Sequence, residues 1–363
     1  MGGTQKQPQG RRSTIMLIMI VLLGTFASEY YLKNSSLSFP LIASCLISAS
    51  FTAWGIPKLQ KLKFKQIIRE EGPKQHHIKA GTPTMGGLFI VPIGLIIGNL
   101  MSISRINNLQ LLAISLLTLS FMLIGGLDDW RSLKFQTNTG LNAKGKIILQ
   151  AIPSLLFLSW AGWQEWINPK IYLFSENYIN VGIFIWPIAL FVLLAESNAT
   201  NLTDGLDGLA SGCGALVFAG LAIELMLRGN ESDGAIASFC MAMAGAWLGF
   251  LMHNRKPSKI FMGDTGSLPM GAALCGIALV TNSLWALFIM GGIFVAESVS
   301  VIIQVWTFKI TKIFYGEGKR IFKMAPIHHH YELKGIPEQV IVNNFWLLTL
   351  CLVLVGLLFR SNT

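Results

Sequence analysis

Long apolar stretches separated by short polar segments repeat along the whole chain. A membrane-spanning helix needs about 20 mainly apolar residues. Eleven stretches approach that length, at residues 15–32, 38–57, 84–104, 107–127, 146–163, 181–197, 207–228, 234–252, 266–281, 284–309 and 341–359. The pattern predicts an all-α polytopic integral membrane protein with about ten or eleven transmembrane helices.

The first stretch fits more than one type of segment. Arg11 and Arg12 precede it and the small pair Ala27–Ser28 lies near its end, as in a signal peptide. Because a second apolar stretch follows within a few residues, an uncleaved anchor or an interfacial helix is favoured. We therefore divide the chain into a basic cytoplasmic or interfacial tail, residues 1–14, and a single transmembrane catalytic domain, residues 15–363.

Composition excludes several other classes of protein. Of the 363 residues 52% are hydrophobic and 13% charged, whereas soluble domains carry about 25% charged residues. An ordinary soluble enzyme and a disordered chain are therefore excluded, 36 glycines exclude a coiled coil, and five scattered cysteines exclude a disulfide scaffold. The net charge is +10, but no basic helix with interleaved aromatic residues occurs, so we expect a lipid bilayer and no nucleic acid as partner.

Lysine and arginine concentrate in alternate loops, at residues 58–81, 128–146, 253–259 and 312–334, and the loops between them are nearly free of both. The positive-inside rule places the basic loops in the cytoplasm, with the N-terminus inside and the C-terminus outside for eleven spans. The polar motifs at residues 74–87, 128–146, 198–208, 253–267 and 319–335 share that side. This placement predicts an active-site cleft at the cytoplasmic face.

Acidic residues dominate three of these motifs. Asp128 and Asp129 end a long apolar stretch, where a helix dipole opposes them, so helix capping is disfavoured and a compensating cation or proton is expected. Oxygen ligands without a nearby histidine or cysteine favour Mg²⁺ over Zn²⁺. The second acidic motif contains Asn198, Asn201, Asp204 and Asp207, spaced three residues apart. The third contains Asp264, in a glycine-rich segment before an apolar stretch.

Simpler roles stay open at several of these positions. Asp204 or Asp207 could cap the next helix, although capping uses only one side chain. Phe261 could stack on a base or pack in the core. The backbone N–H groups after Gly263, at a helix N-terminus, would attract phosphate.

Basic residues and histidines dominate the remaining motifs. Lys79 could neutralise a phosphate or belong to a solvated basic loop, and Thr84 supplies a hydroxyl group. His328, His329 and His330 are consecutive, so they cannot all face one ligand; hydrogen bonding and partial positive charge toward phosphate suit them better. Lys319, Arg320 and Lys323 make the same loop a candidate phosphate clamp. Acids for a metal and bases for phosphates together indicate phosphoryl transfer to a lipid phosphate at the membrane face.

The motifs resemble those of the polyprenyl-phosphate N-acetylhexosamine-1-phosphate transferases. The resemblance covers roughly residues 38–360 and rests on the acid pair at 128–129 and the motifs NxxNLTDGLDG, FMGDTGSL and APIHHHYELKG. The last motif is typical of the muramoyl-pentapeptide branch. That branch implies transfer of phospho-MurNAc-pentapeptide from UDP-MurNAc-pentapeptide to undecaprenyl phosphate in the bacterial plasma (inner) membrane, giving lipid I and UMP, with Mg²⁺ required.

The resemblance also implies roles for individual residues. Asp128, with Asp129 beside it, matches the residue proposed to deprotonate the lipid phosphate, and Asp264 matches the Mg²⁺ ligand. Asn198 and His328 match positions near the metal and the diphosphate. The positions that match the nucleoside end are Lys79, Thr84, Asn201, Asp204, Asp207 and Phe261, with Phe261 stacking on uracil. Family members often carry lysine at the position of Ser132, for which Arg131 or Lys134 could substitute.

Three questions stay open at this point. The family has ten spans with both termini outside, so residues 15–32 either add a span or lie in the interface. A UDP-GlcNAc:undecaprenyl-phosphate GlcNAc-1-phosphate transferase shares the acidic motifs, and a membrane transporter is the alternative from another class. The acids lie at the ends of spans, whereas a transporter places polar groups near the middle of interrupted helices. The sequence also leaves a homodimer open.

Overall fold

The fold is a bundle of membrane-length helices. The structure is a computed structural model that describes residues 9–32, 36–62, 81–101, 109–135, 140–174, 177–230 and 233–359. Lys79 lies outside these residues. The helices within them are α1 (Gln9–Leu32), α2 (Ser38–Lys61), α3 (Gly87–Leu100), α4 (Leu109–Phe135), α5 (Ala143–Trp163), α6 (Ile185–Thr203), α7 (Leu209–Arg228), α8 (Asp233–Asn254), α9 (Asp264–Val280), α10 (Leu284–Met290), α11 (Gly292–Tyr315), α12 (Ile327–Glu332) and α13 (Glu338–Leu358).

Eleven apolar helices confirm the predicted polytopic all-α fold. In the described part of the chain, nine are long and apolar enough to cross a membrane, and α3 and α9 are shorter apolar helices. The first of the nine is α1, which begins at Gln9, so residues 9–14 of the predicted tail are helical. It packs against α2, α7, α8 and α13.

The predicted single stretch 284–309 is wrong as one continuous helix. It divides into α10 and α11 at Gly291 and Gly292, a glycine pair of the kind that kinks helices. A short antiparallel hairpin was also not predicted. Its strands β1 (Lys170–Phe174) and β2 (Asn177–Asn180) lie between α5 and α6 and pair Lys170 with Asn180.

The most enclosed helices are α7, α8 and α9, and the others surround them. Gly245 and Gly249 of α8 lie directly against the backbone carbonyls of Leu41 and Cys45 in α2. Small residues allow this close approach, which drives helix association where lipid removes the hydrophobic driving force. Because α9 begins at Asp264 inside this rigid centre, the surrounding helices position their polar ends around that carboxylate.

Candidate active site

Asp264, the first residue of α9, lies at the centre of a cluster of polar side chains from several helices. Its Oδ1 accepts a hydrogen bond of 2.6 Å from Asn201 Nδ2 in α6, and the same amide lies 2.9 Å from Ser267 Oγ. Its Oδ2 pairs with Lys146 Nζ in α5. Lys146 Nζ also lies 3.2 Å from Asp128 Oδ2 in α4. Two carboxylates from different helices therefore share one ammonium group.

Lys146 is a site residue that the sequence analysis counted only as a loop charge. It occupies the first turn of α5, and the side chains of Lys146, Asp128 and Asp264 keep 14%, 14% and 22% of their surface exposed. The expected compensating cation is thus provided, at least in part, by the protein itself. The signal that could have identified Lys146 is its position as a single basic residue at the start of an apolar stretch. Arg131 and Lys134, the suggested substitutes, instead lie over the rings of Phe135 and Trp130.

Asp129 caps the N-terminus of another helix. Its carboxylate accepts hydrogen bonds from the backbone N–H of Asp264 at 3.1 Å, and from the N–H and hydroxyl of Thr265 at 3.0 and 2.5 Å. The sequence-based rejection of capping was therefore wrong for Asp129, because a residue at the C-terminus of α4 reaches the N-terminus of α9. It was also wrong to expect phosphate at those N–H groups, since Asp129 already accepts from two of them.

Two glycine-rich segments run side by side next to Asp264. Phe261 N–H donates to Pro83 O at 2.8 Å, and Gly86 N–H donates back to Phe261 O at 2.9 Å. Gly263 adopts a φ of +70°, and a Cβ at that position would lie 2.8 Å from Thr84 Oγ1. This pairing places Thr84 beside the Asp264 segment and leaves Phe261 half-buried.

The motif that ends α6 divides into two parts. Asn198 Nδ2 donates to Gln150 Oε1 at 2.8 Å, which places it over α5, one turn from Lys146. Asp204 accepts a bond from the Gly263 backbone. Burial, and then the charges of Asp264 and Asp129, raise the pKa of Asp204 well above its usual range.

Asp207 belongs to a separate buried network. Its carboxylate accepts from Ser258 N–H at 3.1 Å, and its own N–H donates to Glu338 Oε1 at 2.9 Å. Glu338 also pairs with Lys256 at 2.8 Å. The next residue, Gly208, is the N-cap of α7, and no side chain caps it. Asp207 is thus 4% exposed and is bonded to two other elements of the protein.

The three histidines face different partners, as their sequence spacing predicted. His328 is fully buried, and its Nε2 lies where a Cβ on Gly205 would collide with it. His329 Nδ1 lies 2.7 Å from Glu332 Oε2, and His330 Nδ1 accepts from Lys323 N–H at 3.1 Å. Slight burial, and then Lys334 and Lys323, lower the pKa of His330. The structure therefore brings one histidine of the three against the loop that contains Asp204.

The donor set of the cluster suits a hard cation. Asp128 and Asp264 offer carboxylate oxygens, and Mg²⁺ is usually held by one or two carboxylates together with substrate phosphates. Among the described residues, no group of three or more histidine, cysteine or acidic side chains surrounds a single metal position. A metal with only two protein carboxylates and further oxygen ligands from a substrate is compatible with that arrangement.

Comparison with known proteins identifies the family. The family model described as Glycosyl transferase family 4 matches residues 111–282, and signature 1 of phospho-N-acetylmuramoyl-pentapeptide-transferase matches residues 79–91. A phospho-N-acetylmuramoyl-pentapeptide-transferase of Prochlorococcus marinus (strain MIT 9313) is 61% identical over 98% of this chain and 95% of its own. The chain belongs to the phospho-N-acetylmuramoyl-pentapeptide-transferase family.

Other members of the phospho-N-acetylmuramoyl-pentapeptide-transferase family are similar over the same length. The protein of that name from Synechococcus sp. (strain CC9311) is 57% identical over 98% of this chain and 96% of its own. The one from Synechococcus sp. (strain CC9605) is 59% identical over 95% of this chain and 99% of its own. The likeness therefore covers α1 and the site helices together, and it confirms a phosphotransferase enzyme.

Proposed function

We propose that this enzyme transfers phospho-MurNAc-pentapeptide from UDP-MurNAc-pentapeptide to undecaprenyl phosphate. A lipid phosphate oxygen forms a bond to the phosphorus that carries the sugar, the bond from that phosphorus to UMP breaks, and UMP leaves with the electron pair. Lipid I is the product. The observation that carries the proposal is the sharing of one ammonium group by Asp128 and Asp264 at the helix ends, in a chain so similar to named transferases.

The residues of the cluster have distinct tasks in this proposal. Asp128 takes the proton from the acceptor phosphate, and its 14% exposed carboxylate is accessible to such a group. Lys146 offsets negative charge between the carboxylates and the phosphates. Asn201 orients the Asp264 carboxylate through its 2.6 Å bond, and Asn198 lies beside it on the same end of α6.

Magnesium is part of the proposal. Asp264, with Asp128 close to it, would hold the ion, which supplies positive charge to the phosphate oxygens. Asp129 acts through the backbone by fixing the first turn of α9 and hence Asp264.

The rest of the site accommodates the substrate. Thr84, Phe261, Asp204 and Asp207 line or support the nucleoside end, as does Lys79, which lies outside the described residues. His329 and His330, together with the basic residues around them, attract phosphate. In this proposal the site faces the cytoplasm and the protein lies in the bacterial plasma membrane; the lysine- and arginine-rich loops support the cytoplasmic side.

Purified protein in detergent with labelled donor and lipid phosphate tests the proposal. We expect lipid-linked product and UMP from UDP-MurNAc-pentapeptide with Mg²⁺, and neither product after chelation by EDTA. A matched incubation with UDP-GlcNAc tests the GlcNAc-1-phosphate transferase alternative. Product from UDP-GlcNAc alone would contradict the proposal, and no product from either donor would point to the transporter alternative. Cross-linking in the membrane would test a homodimer.

A further inference from the structure

Two buried ionisable side chains meet beneath the site. Glu297 lies in α11 and His328 in α12, and neither side chain is exposed. The distance from His328 Nδ1 to Glu297 Oε2 is 3.1 Å. A carboxylate buried among apolar helices is costly, so the position of Glu297 beside the His328 ring requires an explanation.

Neither side chain forms a side-chain hydrogen bond in the part of the chain that is described. Both carboxylate oxygens of Glu297 and both ring nitrogens of His328 are buried without one, because the 3.1 Å contact does not meet hydrogen-bond geometry. Buried polar groups are nearly always paired, and an unpaired one is destabilising. At 3.1 Å the two atoms are close enough for a hydrogen bond, and only their relative orientation prevents it.

The other ring nitrogen of His328 lies against the loop that contains Asp204 and Gly205. His328 Nε2 packs on Gly205, where a side chain would not fit. Gly205 follows Asp204, which accepts a bond from Gly263 next to Asp264. The orientation of this ring is therefore connected through one loop to the acidic cluster.

We propose that Glu297 is a positioning residue that accepts the Nδ1 proton of His328 and so directs Nε2 toward the loop of Asp204. The neighbouring histidines have other partners, since His329 Nδ1 pairs with Glu332 and His330 Nδ1 with Lys323 N–H. A carboxylate that holds one tautomer of a histidine is a common arrangement in enzymes. The inference rests on the proposed function only in assigning His328 to the substrate site.

The tautomer of His328 is directly measurable. In full-length protein labelled with ¹⁵N-histidine in detergent, the His328 signals are those lost in His328→Gln. We expect a protonated Nδ1 and an unprotonated Nε2 in the wild type and in Glu297→Gln, which keeps an acceptor oxygen. Glu297→Leu removes the acceptor, so both tautomers should appear. The control is Glu196 in α6, which is also a buried acid, and Glu196→Gln should leave the His328 signals unchanged.

An unchanged His328 signal in Glu297→Leu would overturn the proposal. If that variant is not monodisperse, Glu297→Asp withdraws the carboxylate by one methylene group and should show the same change to a smaller extent. An unchanged signal in Glu297→Asp would then count against the proposal. These readouts do not depend on activity, so they decide the inference even if no lipid-linked product is formed.

Turnover separates positioning from a general effect on the fold. Glu297→Leu should lower kcat about 10- to 100-fold, by analogy with groups that orient metal-bound histidines, while the donor KM changes less. In the His328→Gln background the same substitution should have almost no further effect, because Glu297 acts through that ring. If the loss of kcat in the double variant equals the product of the two single losses, the proposal is overturned.

Discussion

Two charged clusters lie at opposite ends of α9, and they are satisfied to different extents. Beyond the C-terminus of α9, Arg228 pairs with Glu224, and its guanidinium also donates to Thr281 O and to Ser283 Oγ. Ser283 Oγ in turn donates to Glu224 Oε2 at 3.1 Å. The Arg228 and Glu224 side chains are 2% and 0% exposed. This outer cluster pairs one cation with one anion and surrounds both with hydrogen bonds.

In the cluster at the start of α9 the negative charges are not fully paired with positive charges. Within the described ranges Asp128 and Asp264 share one cation, Lys146, and all three side chains retain some exposure. A buried ion pair that is fully bonded contributes to structure, whereas excess negative charge open to solvent attracts further cations. We therefore expect the outer cluster to join helices and the acidic cluster to bind a ligand.

The largest effect is expected for Asp264. Asp264→Ala and Asp264→Asn should each lower turnover more than about 100-fold at saturating Mg²⁺, because an anionic ligand is lost from the site. The measurement is lipid-linked product formed per enzyme, with monodispersity in detergent as the control for folding. Near-wild-type turnover of a folded Asp264→Asn would show that the acidic cluster is as structural as the outer one.

In the outer cluster the effect should be on stability. Arg228→Met leaves Glu224 buried without its cation and should cost about 3–5 kcal/mol of unfolding free energy. Thermal unfolding in detergent measures it. The double variant Glu224→Gln/Arg228→Met removes both charges and should recover most of the loss, with turnover of the folded fraction preserved. If Arg228→Met and the double variant unfold at the same temperature, the pairing of Arg228 with Glu224 is contradicted.

Lys146 should affect metal dependence. Lys146→Met removes a cation that competes for the carboxylates, so half-maximal activity should need less Mg²⁺, while turnover falls about 10-fold because phosphate charge is less well offset. A Mg²⁺ titration of turnover measures both. Lys144→Met, in the same first turn of α5, is the control and should change neither quantity. A higher Mg²⁺ requirement in Lys146→Met would contradict the competition.

The smallest effect is expected for the helix cap. Asp129→Ala removes the acceptor of three hydrogen bonds at the start of α9 and should cost about 0.5–2 kcal/mol of stability. Asp129→Asn keeps an oxygen acceptor and should cost less. Thermal unfolding compares the two variants, and an Asp129→Ala as stable as the wild type would remove the capping role.

Much of the site could be predicted from sequence because motif order and span count are local properties. Every second loop reaches the same side, so the motifs with Asp128, Asn201, Asp264 and His328 had to share one end of the bundle. The direction in which a side chain points could not be predicted in this way, because it depends on how neighbouring helices pack. Thus the sequence did not identify Lys146 as the partner of two carboxylates, nor Glu297 as the neighbour of His328.

The amino-acid sequence by itself determined the membrane class, the apolar helices and the gathering of the polar motifs at one end of the bundle. Hydropathy and length decide these features, because lipid requires each span to satisfy its own backbone. Tertiary structure alone decided the partners of Asp128 and Asp129. The two are adjacent on α4, but one turns toward Lys146 and the other toward the N–H groups of α9. Successive residues on a helix point about 100° apart, so only the packing of α5 and α9 around that helix end assigns each carboxylate its partner.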